Sequence, residues 1–452
     1  MKPIPALIFF LAIASFSSLC VSAEETAPPH QTRQPGGNPD GAPETSGPIT
    51  LRAALSRTLL ENPELQAWSL DIRAAEAGVL QSRALPNPEL GVEAENAAGS
   101  GEYRGADSLE TTIGVSQLIE LGGKRAQRHR VADLERKLAE FDYQSARTRA
   151  LVGVAQAFAD VLAAQERARL AEDVSTIVAE AAGAVSAQAR VGKISPVEEQ
   201  KAAVELALSR VESDRASNEL ELARKRLAAF WGDEDANFSR AEGSLEHPLA
   251  VPEYARLAGR LSENPDIARW AIEIERNRAA LKLENANAFA DPTVSAGVRH
   301  FKDSGDHAFV AGVSVPIPIL NRNQGARRQA QFQLSKATQL RRAAELGVRE
   351  RLAELYSDLK TAASEASTLR DQAIPAAESA MTAAQRGFEM GKFSYLETLD
   401  ARRTYVETKS RYLDALAAWR KTAAEIEGLT GEAISGGGSV KTAAQETGDA
   451  SQ

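Results

Sequence analysis

The chain has 452 residues and a formal net charge of −9, with 62 acidic and 53 basic side chains. This acidic balance argues against a nucleic-acid partner, because proteins that bind phosphate backbones carry an excess of Lys and Arg. The one cysteine, Cys20, excludes an internal disulfide framework.

The N-terminus has the pattern of a secretory signal. A basic Lys2 precedes an apolar run that ends in small residues at 21–23. We therefore expect residues 1–23 to be a signal peptide, and the mature protein to leave the cytoplasm. The alternative is a lipoprotein signal with an acylated Cys20, which the bulky Leu19 before it disfavours. Mass spectrometry of the mature N-terminus separates the two.

The rest of the chain is predicted to be a duplicated unit between two flexible ends. Pro, Gly and polar residues dominate 24–48, a predicted leader, and small and polar residues dominate 432–452, a predicted tail. Between them we predict two repeats, residues 49–232 and 253–431, joined by a connector at 233–252. The repeats share landmarks in the same order: ENPEL and ENPDI, NPELGVEAE and DPTVSAGVR, TIGVSQLIELGGKR and VAGVSVPIPILNRNQG, RVGKIS and EMGKFS. Such long repeats exceed solenoid periods and indicate a duplicated half-protein.

Each repeat contains two stretches in which apolar and polar residues alternate. They predict four β-strands, at about 87–97, 108–118, 291–301 and 307–317. Their length and alternation are typical of membrane-barrel strands with an apolar outer face and a polar inner face. Four strands cannot close a barrel, so a membrane location requires oligomerisation, and three copies supply about twelve strands. Two ordinary solvent-facing hairpins packed on helices are the alternative.

A long and a shorter helical segment follow each strand pair. Strong helix formers and apolar residues at helical spacing predict helices at about 124–190, 196–230, 326–388 and 395–428. The first would extend roughly 100 Å, a length typical of a coiled coil or rod. The fold class is therefore predicted as an α+β membrane protein with an internal two-fold repeat.

A tight corner joins the two helices of each repeat. Each corner has a Gly that suits a left-handed helix end, a Ser that suits the next N-cap, and a Glu three residues later that predicts a capping box. These residues are Gly192, Ser195 and Glu198 in the first corner, and Gly391, Ser394 and Glu397 in the second.

Two residues distinguish the second repeat from the first. Asp400 adds an acid after the second corner, where the first repeat has Lys201. Pro375 lies inside the second long helix, where the first repeat has Thr176, and is expected to kink that helix. We interpret Pro375 as a candidate hinge, with a fixed bend for close packing as the alternative.

No motif predicts an enzyme, a cofactor or a metal site. Neither an HxxxH nor a Cys/His spacing occurs among the five histidines: His30, His129, His247, His300 and His307. His300 and His307 flank a loop that contains Asp303 and Asp306, and we favour a plain polar loop over a metal-binding one. The sequence has no nucleophile motif, and ELGGKR lacks the flanking residues of a phosphate loop.

These features together resemble the TolC family of trimeric outer-membrane efflux channels. The resemblance rests on the duplicated strand–strand–helix–GK(I/F)S–helix half and the LETLDA stretch, and covers about residues 48–431. QLIELGGKR and VPIPILNRNQG resemble its heavy-metal, CzcC-like branch. The resemblance implies a homotrimer whose shared twelve-stranded barrel in outer-membrane lipid continues into a long coiled-coil α-helical tunnel in the periplasm. It also implies a passive conduit that works with a periplasmic adaptor (membrane fusion) protein and an inner-membrane RND pump, and exports heavy-metal cations.

The resemblance also implies roles for the two corners. Their exposed tips would contact the adaptor, through Gly192, Lys193, Ser195, Gly391, Lys392 and Ser394. Glu397 and Asp400 match acids that ring the pore near its periplasmic mouth, where carboxylates repel one another and attract cations. A capping role alone for Glu397, and a solvated helix face for Asp400, are the alternatives. Phe393 stands where some members carry an arginine that latches the closed state, and Lys392 is the candidate substitute.

Two other functions stay open. With a different pump, the same channel would export organic drugs, or a polypeptide by type I secretion. A protein of a different class, a secreted coiled-coil scaffold or binding protein, would explain the long helices. It would not explain why each half inserts two alternating strands at the same point.

Overall fold

The computed structural model describes residues 47–246, 249 and 251–434. The predicted signal peptide, Cys20, and most of the predicted leader and tail lie outside these residues. Within the described part of the chain, no helix combines the length and the hydropathy that a membrane crossing requires.

The described residues form helices and strands in an order that recurs in the two halves. The helices are α1 (Leu51–Glu61), α2 (Pro63–Ser82), α3 (Lys124–Arg190), α4 (Pro196–Ala228), α5 (Tyr254–Arg260), α6 (Pro265–Ala286), α7 (Gln324–Thr368), α8 (Ile374–Glu389) and α9 (Tyr395–Thr430). The strands are β1 (Ile49–Thr50), β2 (Glu89–Glu95), β3 (Glu110–Leu118), β4 (Ala241–Glu242), β5 (Thr293–Phe301) and β6 (His307–Ser314).

The four longer strands form one antiparallel sheet in the order β2-β3-β5-β6. Each half contributes one hairpin, and the two hairpins join through β3 and β5, where Ile113 pairs with Val298. In the neighbouring ladders Val92 pairs with Ile113, and Val298 with Phe309. Because residues at directly paired positions point to the same face, most of the apolar residues of the four strands share one face. The alternation predicted for each strand thus becomes one apolar surface.

Helix α3 spans 67 residues without interruption, which corresponds to roughly 100 Å. Thr176, inside it, donates its hydroxyl to the Glu172 carbonyl at 3.1 Å and does not break the helix. In the second half, a π-helical turn at Leu369–Ala373 separates α7 from α8, and Pro375 is the second residue of α8. Where the sequence predicts one helix over 326–388, the structure therefore has two helices joined by a wider turn.

Apolar side chains hold the helices together at three places. The first core packs α1, α3, the end of α4 and the middle of α9, and includes the buried Trp231. The second packs α5, α7 and the end of α9 around Trp419, which is fully buried. The third is small and lies beside the two corners, where it includes Val185 and Leu399. Helix α9 contributes to all three.

Four helices and one strand pair were not predicted from the sequence: α1, α2, α5, α6 and the parallel β1–β4 pair. Local signals for two of these helices were present. Asn62 caps α2 and Asn264 caps α6, and each is followed by Pro at the first helical position. ENPEL and ENPDI were interpreted only as landmarks of the repeat, and not as helix starts.

Candidate functional site

The apolar face of the sheet is exposed along its length. Phe309 is 94% exposed, Leu90 72% and Val313 70%. Burying large apolar side chains of this kind contributes about 1.5–3 kcal/mol each. A continuous exposed face of this kind marks contact with a partner or with lipid.

The opposite face of the sheet is polar and carries an ion-pair cluster. Arg299 contacts Glu95 at 2.7 Å and Glu110 at 2.9 Å, and donates to the Thr112 hydroxyl at 2.9 Å. Glu93, opposite Thr112, is an exposed acid on the same face. This face therefore has charged groups that require water or counter-ions, unlike the apolar one.

A row of glycines crosses the sheet between these charged residues and the helices. Gly91 pairs with Gly114, and Gly114 with Gly297. A Cβ atom at Gly297 would lie 2.7 Å from the Ile113 carbonyl oxygen, and one at Gly114 would lie 3.0 Å from a backbone oxygen of β5. Backbone atoms of a paired strand cannot move aside, so this close approach requires glycine.

The first corner turns through Gly192, whose φ of 74° is left-handed. Ser195 caps α4, and its hydroxyl accepts a hydrogen bond from the Val197 amide at 3.3 Å. The capping box predicted for Glu198 is wrong, because the Ser195 hydroxyl is directed to the second amide of the helix instead of the third. Glu199 accepts a hydrogen bond from the Ser186 hydroxyl at 2.7 Å and ties the two helices together.

The second corner forms the full capping box. Gly391 has a φ of 67°, and the Glu397 amide donates to the Ser394 hydroxyl oxygen at 3.3 Å. In return the Glu397 carboxylate accepts from the Ser394 amide at 2.6 Å and from its hydroxyl at 2.9 Å. The Ser394 amide, followed by its hydroxyl, holds the pKa of Glu397 below its usual value. Glu397 therefore stays ionised, and hydrogen bonds from Ser394 hold its carboxylate at the start of α9.

Phe393 folds back onto the end of α8. A Cβ at Gly387 would overlap the Phe393 ring, and the Lys392 amide donates to the Gly387 carbonyl at 2.8 Å. The aromatic ring thus caps the helix end by packing, whereas an arginine there would present a charge.

Asp400 lies one helical turn beyond Glu397 and is exposed. Between them Thr398 and Leu399 are buried, as is Tyr395 at the helix start. The two acids thus share the face of α9 that points away from the third core. Within the described chain, the Asp400 carboxylate is in no ion pair or hydrogen bond, in contrast to Glu397.

A buried charge that no sequence pattern revealed lies beside these acids. Arg402 is 6% exposed, and its Nη1 has no hydrogen-bond partner among the described residues. Burial lowers the pKa of Arg402, and the nearby Tyr395 and Glu205 act in the opposite direction. Arg403 contacts Glu205 at 3.1 Å. Because Glu205 belongs to α4, this contact links the second helical hairpin to the first.

No metal centre is evident at these positions. Among residues 47–246, 249 and 251–434, no group of three or more His, Cys, Asp or Glu side chains is placed to hold a metal ion. His30 and His247 lie outside the described residues.

Comparison with known proteins identifies the family. The sequence pattern of the outer membrane efflux protein family (OEP) matches residues 54–233 and 259–432. The cobalt-zinc-cadmium resistance protein CzcC of Cupriavidus metallidurans is 35% identical over 388 residues, which make up 86% of this chain and 91% of that protein. The nickel-cobalt-cadmium resistance protein NccC of Alcaligenes xylosoxydans xylosoxydans is 26% identical over 273 residues, 60% of this chain and 61% of that protein.

The fold is similar to that of a solved outer-membrane channel. The crystal structure of the Campylobacter jejuni CmeC outer membrane channel has a TM-score of 0.71 and 13% identity, covering 88% of each chain. The resemblance to CzcC-like proteins that the sequence indicated is confirmed. Since two segments that together span most of the sequence match the family, the chain belongs to the outer membrane efflux protein family.

Proposed function

We propose that this protein is the outer-membrane channel of a tripartite RND-type efflux system, and that it exports heavy-metal cations as a passive homotrimeric conduit. The observation that carries the proposal is the four-stranded sheet, which has one exposed apolar face, one polar face and two free edges. A soluble protein rarely leaves such a face and such edges uncovered.

The free edges support trimer formation. Strands β2 and β6 each pair on one side only within the described chain. In lipid, unpaired backbone amides and carbonyls are too costly to persist, so β2 of one copy would pair with β6 of the next. Three copies close a barrel of about twelve strands with the apolar face toward lipid and the Arg299 face toward water. Small barrels need about eight strands or more, so one copy cannot close.

The long helices would continue this barrel as a coiled-coil tunnel. Helix α3 follows β3 and α7 follows β6, with α8 continuing α7, and α4 and α9 each begin after one of the two corners. The repeated order of elements fits a wall built from a duplicated half. The corner residues Gly192, Lys193, Ser195, Gly391, Lys392 and Ser394 are all exposed, as a surface for a periplasmic adaptor protein requires.

The gate is proposed at Asp400, with Glu397 beside it. Three exposed Asp400 carboxylates around one narrow axis would repel one another and attract divalent cations. The Arg403–Glu205 contact and the buried Arg402 would hold the second hairpin against the first in the closed state. Pro375 and the π-helical turn before it would form the hinge, because both weaken the regular hydrogen bonding of the helix. Both precede the second corner and Arg403 in the chain.

Heavy-metal cargo is proposed from the likeness to CzcC, whose name records resistance to cobalt, zinc and cadmium. The test is a deletion strain assayed for sensitivity to zinc, cobalt, cadmium, nickel, copper and silver, alongside hydrophobic drugs. We expect sensitivity to metals that the wild-type gene reverses. Sensitivity to drugs alone would overturn the cargo and favour an organic substrate. Membrane fractionation and heat-modifiable migration on a gel test the trimeric barrel.

A further inference from the structure

The hairpin formed by β5 and β6 ends in a pair of stacked histidines. His300 and His307 occupy the last paired positions of the ladder, directly opposite each other. Their ring centroids are 4.7 Å apart, and the ring planes are inclined by 30°. From the sequence alone we favoured a plain polar loop here. Residue order does not reveal that the two rings are in contact.

The backbone sets the two histidines at close range. The Phe301 amide donates to the Asp306 carbonyl at 3.0 Å, which is one of the two bonds of a hydrogen-bonded pair. The adjacent pair, His300 and His307, is then a non-hydrogen-bonded pair, in which side chains approach most closely. Strand β5 is also paired with β3 on its other side, where His300 lies opposite Thr111. The pair is therefore held by a central strand of the sheet.

The surroundings leave ring nitrogens available to a ligand. His307 is exposed and His300 is half-buried. The Nδ1 atom of His300 lies 3.3 Å from the Asp306 carbonyl oxygen. In the tautomer that donates this Nδ1–H, the Nε2 lone pair is free to bind a cation, as in many histidine ligands of metals. Asp303 and Asp306 lie in the connecting loop and place negative charge near the pair.

We propose that His300 and His307 chelate one divalent transition-metal ion per protomer, of the class that imidazole prefers: Cu²⁺, Ni²⁺, Zn²⁺ or Co²⁺. When the side chains turn out of the stack so that one nitrogen of each ring faces the ion, the two imidazoles supply two ligands, and water completes the coordination sphere. The hairpin loop lies at the end of the sheet away from the helices, because β5 and β6 connect to α6 and α7 at their other ends. A place at the outer end of the barrel, on the face that carries Val298 and Phe309, rests on the proposed function, whereas metal binding itself does not.

The test is metal binding to the purified full-length protein in detergent, prepared without a polyhistidine tag. Titration calorimetry with Ni²⁺ should show one site per protomer whose affinity falls at least tenfold in His300→Ala and in His307→Ala. His129→Ala is the matched control, because His129 lies on α3 beside Arg83 and should leave the site intact. With Cu²⁺, electron paramagnetic resonance should show coupling to two nitrogens, reduced to one in either variant.

Wild-type protein without such a site, or variants with unchanged affinity and nitrogen coupling, would overturn the proposal. Equal loss in His129→Ala would do so as well, because the signal would then come from elsewhere. Each variant should keep the heat-modifiable migration of the wild type, which shows that it has folded. A protein that restores metal resistance but lacks the site refutes this inference alone. One that binds Ni²⁺ at the pair yet restores no resistance refutes only the proposed cargo.

Discussion

Substituting Glu205 by Gln should loosen the contact between the two helical hairpins near the corners. Glu205, on α4, is the ion-pair partner of Arg403 at 3.1 Å, and its side chain is only 17% exposed. Burial lowers the pKa of Arg402, and the negative charge of the nearby Glu205 acts in the opposite direction. The substitution keeps the size of the side chain and removes its charge.

The size of the effect follows from the burial of the groups involved. The Arg403 side chain is 67% exposed, so its pair with Glu205 should contribute only about 0–1 kcal/mol. Removing one partner of a fully buried charge pair costs more, about 3–5 kcal/mol, which is the upper limit for the charge that Glu205 presents to Arg402. Because Glu205 is partly exposed, we expect about 1–3 kcal/mol, which corresponds to a change of about 5- to 150-fold in the closed-to-open ratio of the tips.

Hydrogen exchange of the corner amides, and open probability of single channels in bilayers, measure this ratio. Arg403→Gln is the control, because it removes the exposed ion pair and leaves Glu205 beside Arg402. We expect Arg403→Gln to change the ratio less than fivefold, and Glu205→Gln to change it more. Equal effects of the two substitutions would refute the reasoning, since the buried Arg402 would then contribute nothing.

Three further predictions test the gate, the hinge and the sheet. Asp400→Ala, alone or with Glu397→Ala, should raise single-channel conductance and weaken block by divalent cations, and unchanged conductance and block would contradict the proposed gate. Pro375→Ala should restore regular helix hydrogen bonding and slow opening; normal transport with identical crosslinking in both states would exclude the hinge. Gly297→Ala should prevent or weaken assembly by about 1–3 kcal/mol, as seen in heat-modifiable migration. The control Gly347→Ala, at a helical position with open space around its Cβ, should not weaken assembly, because Ala favours a helix more than Gly does.

Much of the fold was predictable because its signals are local. The alternation in each of the four strand segments marks the residues that face one way, and the observed strands β2, β3, β5 and β6 lie within the predicted segments. The left-handed φ angles of Gly192 and Gly391 and the two serine N-caps are confirmed for the same reason. A helix cap depends on a few neighbouring residues, so it can be inferred from sequence.

The capping box at Glu198 shows where local inference stops. The first corner has the same Ser-to-Glu spacing as the second, yet the Ser195 hydroxyl accepts from Val197, and Glu199 is the acid that bonds across the corner to Ser186. Which acid accepts the hydrogen bond from across the corner depends on the packing of α3 against α4. Spacing along the chain does not contain that information.

The sequence by itself determined which residues alternate, where the long helices turn, and that the second half adds Asp400 and Pro375. Only the tertiary structure decided that β3 pairs with β5, and that Glu205 reaches Arg403. It also decided that His300 stacks on His307, and that a buried Arg402 lies behind the proposed gate. The first group depends on backbone geometry over a few residues. The second joins residues that are distant in sequence or separated by a turn, and their contact is set by strand register and helix packing.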